Sequence, residues 1–312
     1  MSIFEKAFEK AGKGTSEEQA DPLFDSSDGL LNVPESLDED GAKQGLAEDL
    51  DSRLWSENQS HTVAGPGKQV MLDLNRLRDA GLVDPKSNKT NRTTEEFRRI
   101  KRPLLMHVRG EGATVVDNAN MIMVTSALAG EGKTFTSINL AMSIAMEMDK
   151  TVLLIDADVA KPDVTARLGV EAEKGLIDVL LDDGLTLPDV LLRTDIPKLT
   201  LLPSGSRHVH STELLASERM RQLTLELSSR YSDRIVIFDS PPLLLTNEAR
   251  VLAGLMGQVV LVTEESRTPQ HSVKEAAEML NDNEIVGIVM NKGTHRKDSD
   301  GYGGYGYYPY GR

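Results

Sequence analysis

Near the middle of the chain six residues read Ala129-Gly130-Glu131-Gly132-Lys133-Thr134. Two glycines followed at once by a lysine and a hydroxyl are the makings of a phosphate cradle. Glycine lets backbone N–H groups turn toward an anion, lysine supplies a point charge, and threonine offers an oxygen to a hard cation. Two acidic sites follow. Val152-Leu-Leu-Ile-Asp156-Ala-Asp158 ends an apolar run in two carboxylates, and Ile235-Val-Ile-Phe-Asp239-Ser-Pro-Pro242 ends another in one. Five of the six tyrosines (Tyr302, Tyr305, Tyr307, Tyr308 and Tyr310) crowd into the last eleven residues. A phosphate cradle, carboxylates and a cluster of phenols on one chain point to phosphoryl transfer onto tyrosine, the chain's own included.

The expected roles follow from residue chemistry. Ala129, Gly130, Glu131, Gly132, Lys133, Thr134 and Phe135 would wrap the phosphates of ATP, with Lys133 on the β- and γ-phosphates. Thr134 would ligate Mg²⁺. Asp239 would hold that ion directly or through water, and Asp158 would assist the metal or the base. Asp156 would take the proton of an attacking hydroxyl. The generic loop pattern carries glycine at position 127, where this chain has Ala127, so the match is to a variant.

These residues need a rigid frame. Met121–Thr125, Thr151–Ile155, Leu199–Leu202, Arg234–Phe238, Gln258–Thr263 and Ile285–Met290 are short runs rich in Val, Ile and Leu. Continuous apolar runs of this length suit strands buried on both faces. Helical stretches at Thr134–Met148, Glu213–Ser229 and Thr268–Asn281 separate them. The alternation predicts an α/β fold of the P-loop NTPase type: a doubly wound, mostly parallel sheet flanked by helices. The phosphate loop and both acidic sites fall at strand C-termini, where such sheets build their sites.

Composition sets the outer limits. The chain has 312 residues, no cysteine and a net charge of −14. Disulfides, thiolate metal sites and iron–sulfur clusters are thereby excluded. The acidic balance disfavours nucleic acid as a partner. No stretch approaches the ~20 apolar residues of a membrane span, and the first residues lack the apolar core of a signal peptide, so a cytoplasmic protein is expected. Residues 1–60 carry fifteen Asp and Glu against five Lys and Arg, too polar to offset their ordering entropy. Residues 1–92 therefore read as an acidic, largely disordered region with short helices, one at the very start and one over 70–83. Residues 93–292 read as the catalytic domain and 293–312 as a flexible tail. A helix is expected from Thr93, capped by Thr94 and kinked or interrupted at Pro103.

The order of phosphate loop, Asp-x-Asp and Asp-Ser-Pro-Pro resembles the bacterial tyrosine kinases of exopolysaccharide and capsule synthesis, over residues 94–312. Glu95-x-x-Arg98-x-x-Lys101 resembles that family's oligomerisation motif, Leu202-Pro-Ser-Gly205 with Thr212-Glu-Leu-Leu215 its middle segment, and the tyrosine cluster its autophosphorylated tail. Leu72-Asp-Leu through Leu77-Arg-Asp-Ala-Gly81 is similar to the subgroup encoded with exosortase-linked loci. The resemblance implies a ring of subunits, each donating its tail to a neighbour, with Glu95, Arg98 and Lys101 across the contact. It also implies a separate polysaccharide co-polymerase of the inner membrane as activator and peripheral anchor, a cognate tyrosine phosphatase, and a part in exopolysaccharide synthesis and export. Asn291 stands where the wider superfamily often hydrogen-bonds adenine. One departure is Ala160, where the family has arginine; the nearest base is Lys161.

Two other functions share these motifs. A positioning or partition ATPase would carry a second lysine where this chain has Leu128, and a basic face or basic C-terminal helix that is missing here. A nucleotide-gated scaffold would bind ATP without transferring phosphate.

Overall fold

The computed structural model describes residues 68–87, 91–112, 115–229, 234–281, 283 and 285–293. The acidic segment 1–60, its opening helix and the tyrosine cluster lie outside these residues. Among the described residues the strands are β1 (Lys68–Val70), β2 (Met121–Ser126), β3 (Thr151–Asp156), β4 (Leu192–Thr194), β5 (Leu199–Leu202), β6 (Arg234–Asp239), β7 (Gln258–Glu264) and β8 (Ile285–Asn291). The helices are α1 (Leu74–Asp79), α2 (Arg92–Val108), α3 (Lys133–Ala145), α4 (Val164–Leu168), α5 (Leu176–Leu181), α6 (Leu187–Val190), α7 (Ser211–Leu215), α8 (Glu218–Ser229), α9 (Asn247–Ala253) and α10 (Gln270–Met279).

The strands form one sheet in the order β1-β4-β5-β3-β6-β2-β7-β8. From β5 to β8 every pairing is parallel; β4 runs antiparallel to β5 and carries β1 parallel to itself. The chain leaves β2 for β3, two strands away, and later adds β7 on β2's other side. The C-terminal end of β2 is thus a point where the winding reverses and a crevice opens.

Alternate residues of each central strand enter different cores. Met121, Met123, Leu153, Ile155, Val236 and Phe238 face one, packed under α5, α8 and α9. Ile122, Val124, Val152, Leu154, Ile235 and Ile237 face the other, under α2 and α3. Both faces are covered, so neither row is polar and the strands read as unbroken apolar runs. Five of the six strands expected from sequence extend one residue further at their C-terminal ends, and this brings Asp156, Asp239 and Asn291 into the ladder itself. β8 departs from the expectation of burial on both faces. It is an edge strand, and Val286, Ile288 and Met290 on one side of it are exposed.

Four further expectations are revised. The stretch 68–86 belongs to the packed body rather than to the acidic region before residue 92. β1 joins the sheet, Leu77 and Val83 have no exposed surface, and the Val83 N–H donates to Asn139 Oδ1 at 2.7 Å. Three residues of strand and six of helix carry too short a period to announce this. The helix expected over 70–83 spans only Leu74–Asp79. The helix expected over Glu213–Ser229 is two, α7 and α8, because Ser217 caps the second: its hydroxyl accepts from Met220 N–H at 3.2 Å. Finally, α2 is capped by Asn91, whose side chain accepts from Thr94 N–H at 2.8 Å, and it runs through Pro103 without a break. The one helical bond a proline removes here would have ended on the carbonyl of exposed Arg99, where water can replace it.

Lys101 is the larger correction. It was expected on a surface between subunits, but it is buried under α3. Its Nζ donates to Ser143 O and pairs with Glu147, both at 2.6 Å. A buried ammonium must be paired, and this one is satisfied inside its own subunit. Glu95 and Arg98 do remain on the exposed side of α2, paired with each other at 2.6 Å. No helix among the described residues is long and apolar enough to cross a membrane.

If residues 68–86 are part of the body, Leu77→Ala should lower its stability by about 2–4 kcal/mol, the usual result of emptying a fully buried leucine site. Urea unfolding followed by circular dichroism measures this. A loss below about 0.5 kcal/mol, the range of surface substitutions, would mean that the segment is not docked.

Candidate active site

The loop after β2 turns on two residues that only glycine tolerates well. Gly130 has φ 85° and Gly132 φ 102°, in the left-handed region that costs a residue with a Cβ. At Gly132 a Cβ would also fall 1.9 Å from Asn291 Nδ2. The loop is further shaped by its own side chains. Ser126 Oγ donates to Leu128 O at 2.6 Å, and the Glu131 carboxylate accepts from Leu128 N–H at 2.7 Å. Lys133 then opens α3, whose N-terminus directs its dipole at the same space. Phe135 packs edge-on against Phe97, with ring centroids 6.3 Å apart.

Three carboxylates converge behind the loop because of strand register. Asp156 and Asp239 are direct neighbours across β3 and β6. Both are fully buried, and Asp158 nearly so. Lys133 Nζ pairs with Asp158 Oδ2 at 2.5 Å. Asp239 Oδ1 accepts from Ser137 Oγ at 3.0 Å. Asp156 Oδ2 accepts from the N–H groups of Asp163 and Val164 at 3.1 and 3.0 Å, which ties the start of α4 to the sheet. The second oxygens, Asp156 Oδ1 and Asp239 Oδ2, are buried with no partner.

Such crowding raises the affinity of these groups for protons. Burial, and then the charge of Asp239, push the Asp156 carboxyl up to about 8. Burial pushes Asp239 up to about 6, against the pull of Lys133. Asp239, with the Thr134 hydroxyl and Asp158 beside it, forms an all-oxygen donor set suited to a hard cation. Among the described residues no three acidic or histidine side chains could hold a metal alone.

A cleft of about 380 Å³, open to solvent, lies against the loop. Gly130, Lys133, Thr134 and Asp158 line it, together with Ala160, Lys161, Arg167, Pro241, Pro242 and exposed Leu245. Asp156 and Asp239 are buried side by side at the ends of their strands. Of the residues expected at the site, those from Ala129 to Phe135, together with Asp156, Asp158, Asp239 and Asn291, are brought together. Asn291 reaches the loop itself, donating to Glu131 O at 2.9 Å. The five tyrosines lie outside the described residues. Sequence reasoning missed Ser137. It stands one helical turn beyond Lys133, a spacing that could have singled it out.

A family model described as an AAA domain matches residues 119–282. Tyrosine-protein kinase YwqD of Bacillus subtilis (strain 168) is 33% identical over 229 residues, covering 73% of this chain and 89% of the relative. This chain belongs to the bacterial tyrosine-protein kinase family. Tyrosine-protein kinase wzc of Salmonella typhi is 32% identical over 193 residues. That match takes in 61% of this chain and 26% of the relative, so the chain spans about a quarter of that longer kinase. Among solved structures, the VpsO kinase domain is 30% identical, with TM-score 0.56, over 65% of this chain and 95% of that one. The site thus lies on a tyrosine-kinase frame, and these three relatives carry the name of kinases.

The raised proton affinity of Asp156 has a consequence for stability. An ordinary carboxyl releases its proton near 3.8, this one near 8. The folded state therefore gains from the bound proton fully below about pH 4 and loses that gain as pH rises through about 8. Asp156→Asn should raise the melting temperature of the nucleotide-free protein at pH 8.5 by roughly 3 °C or more, with little change at pH 4. Melting curves across that range measure it, and an equal shift at both ends would contradict the assignment.

Proposed function

We propose that this protein is an ATP-dependent tyrosine autokinase whose acceptors are Tyr302, Tyr305, Tyr307, Tyr308 and Tyr310. The observation that carries the reading is the Lys133–Asp158 pair at the mouth of a phosphate loop, backed by two buried carboxylates with free oxygens. In the transfer, a phenol oxygen bonds to the γ-phosphorus of ATP. The bond from that phosphorus to the β–γ bridging oxygen breaks, and ADP leaves with the electron pair. The phenol proton passes to Asp156.

Each residue's part follows from its setting. Lys133 leaves Asp158 for the phosphates, where its charge offsets that developing on the transferring group. The exchange frees an oxygen of Asp158. Asp156 is a stronger base than an exposed carboxylate because burial and Asp239 disfavour its ionised form. When bound, Mg²⁺ supplies charge neutralisation on the phosphates, and Thr134, Asp158 and Asp239 are the residues to hold it. Asn291 stands beside the loop for adenine. The apolar Pro241, Pro242 and Leu245 in the cleft lining suit an aromatic acceptor.

The assembly belongs to the same reading. The subunits form a ring in which each tail enters a neighbour's cleft. Glu95 and Arg98 exchange their intrahelical pair for a contact between subunits, without Lys101. Five phosphates at about −1.5 to −2 each would then repel neighbouring acidic subunits and loosen the ring. A polysaccharide co-polymerase of the inner membrane activates the kinase and holds it there, a phosphatase resets the tail, and the cycle governs exopolysaccharide synthesis and export.

Mass spectrometry of the full chain before and after Mg-ATP, beside Lys133→Met, tests the transfer. Up to five added phosphates on the tail are expected, with none in the variant. If the tail stays bare even with a co-polymerase present, the kinase reading falls and ATP turnover decides between an ATPase and a scaffold. The pH dependence of kcat/KM, which reports the free enzyme, should rise through about pH 8 as Asp156 deprotonates. A profile that is flat from pH 6 to 9 would remove Asp156 from the role of base.

A further inference from the structure

The residues just before the tyrosine tail are built into the phosphate loop. Lys292 Nζ donates to Gly130 O at 2.8 Å and to Glu264 Oε2 at 2.9 Å. Asn291 Nδ2 donates to the next carbonyl, Glu131 O, at 2.9 Å. From the turn after β7, the Thr268 hydroxyl donates to the Glu131 carboxylate and accepts from Glu264 N–H. Three groups of the loop are thus gripped by that turn and by the residues at the end of β8.

A trans peptide points its C=O and its N–H in opposite directions. The carbonyl of Gly130 shares a peptide plane with the N–H of Glu131, and the carbonyl of Glu131 shares one with the N–H of Gly132. Drawing both carbonyls toward β8 turns both N–H groups away from it, and Gly130 and Gly132 line the cleft. Left-handed glycines are free to turn, so a loop built on them needs something outside itself to fix the direction. Glu264 anchors the ammonium. Its carboxyl is held below the usual carboxylate range, first by Lys292 and also by Arg267.

We propose that Lys292, anchored by Glu264 and acting with Asn291, is a positioning residue for nucleotide binding. It fixes two carbonyls of the phosphate loop and thereby aims the N–H groups of Glu131 and Gly132 at the phosphates. This rests on the nucleotide-binding half of the function proposed above and is independent of the acceptor.

The test is titration of the full chain with a fluorescent ATP analogue, with Mg²⁺ present, beside melting curves with and without ATP. Lys292→Met should weaken binding about tenfold, as loss of a charged hydrogen bond does, and reduce the stabilisation by ATP. Its nucleotide-free melting temperature should match wild type. Lys292→Arg should restore binding. If Lys292→Met itself melts early, Glu264→Gln, which keeps the lysine but loosens its anchor, should show the same weakening. Binding within about twofold of wild type in the well-folded variant would overturn the proposal, as would a loss that arginine does not restore. Weaker binding by Lys292→Met in a protein whose wild-type tail never gains phosphate would sink the kinase reading and leave this one standing.

Discussion

Asp156 and Asp239 occupy paired positions at the ends of β3 and β6, both beyond the reach of water, with Asp158 two residues on and one ammonium, Lys133, close by. Like charges so placed are costly in a medium of low polarity. Their cost is relieved in part by a proton on Asp156 and in part by Lys133. A ligand that brings a cation to the free oxygens, and takes Lys133 for its phosphates, relieves the same cost by a different route.

The frame around it explains why such a cluster can be tolerated. Apolar rows on both faces of the central strands pack beneath helices, and the hydrophobic gain from that burial, of order 1.5–3 kcal/mol for each large side chain, is spread over the whole sheet. Parallel pairing fixes which residues stand side by side. A slip of one residue would send Asp156 and Asp239 to opposite faces. The carboxylates are thus held by register, through strands whose inner residues have no other arrangement that keeps both cores filled.

Much of this could be read from the residues alone. The phosphate loop, the three carboxylates and six of the strands show themselves through composition and unbroken apolar runs, because local chemistry and burial agree there. β1 and β4 did not, since three residues in a strand leave no period to detect. Lys101 was misplaced for a different reason: a lysine on a charged helix reads as solvated, and only the packing of α2 on α3 reveals that its head is drawn inward to Ser143 and Glu147. Lys292 stayed hidden because its partner in the loop lies more than a hundred residues earlier, a distance over which sequence spacing says nothing, and Glu264 because its part comes only through Lys292. Asn291 was noticed, yet its contact with the loop backbone was not.

Leu245 stands at the mouth of the cleft with 60% of its surface exposed, in a chain that has no cysteine. One thiol placed there would be the sole target for a maleimide dye. It would sit in the lining of the cleft. The protein thereby offers a single-site optical reporter on the rim of its own cleft, able to register occupancy in real time without a coupled assay.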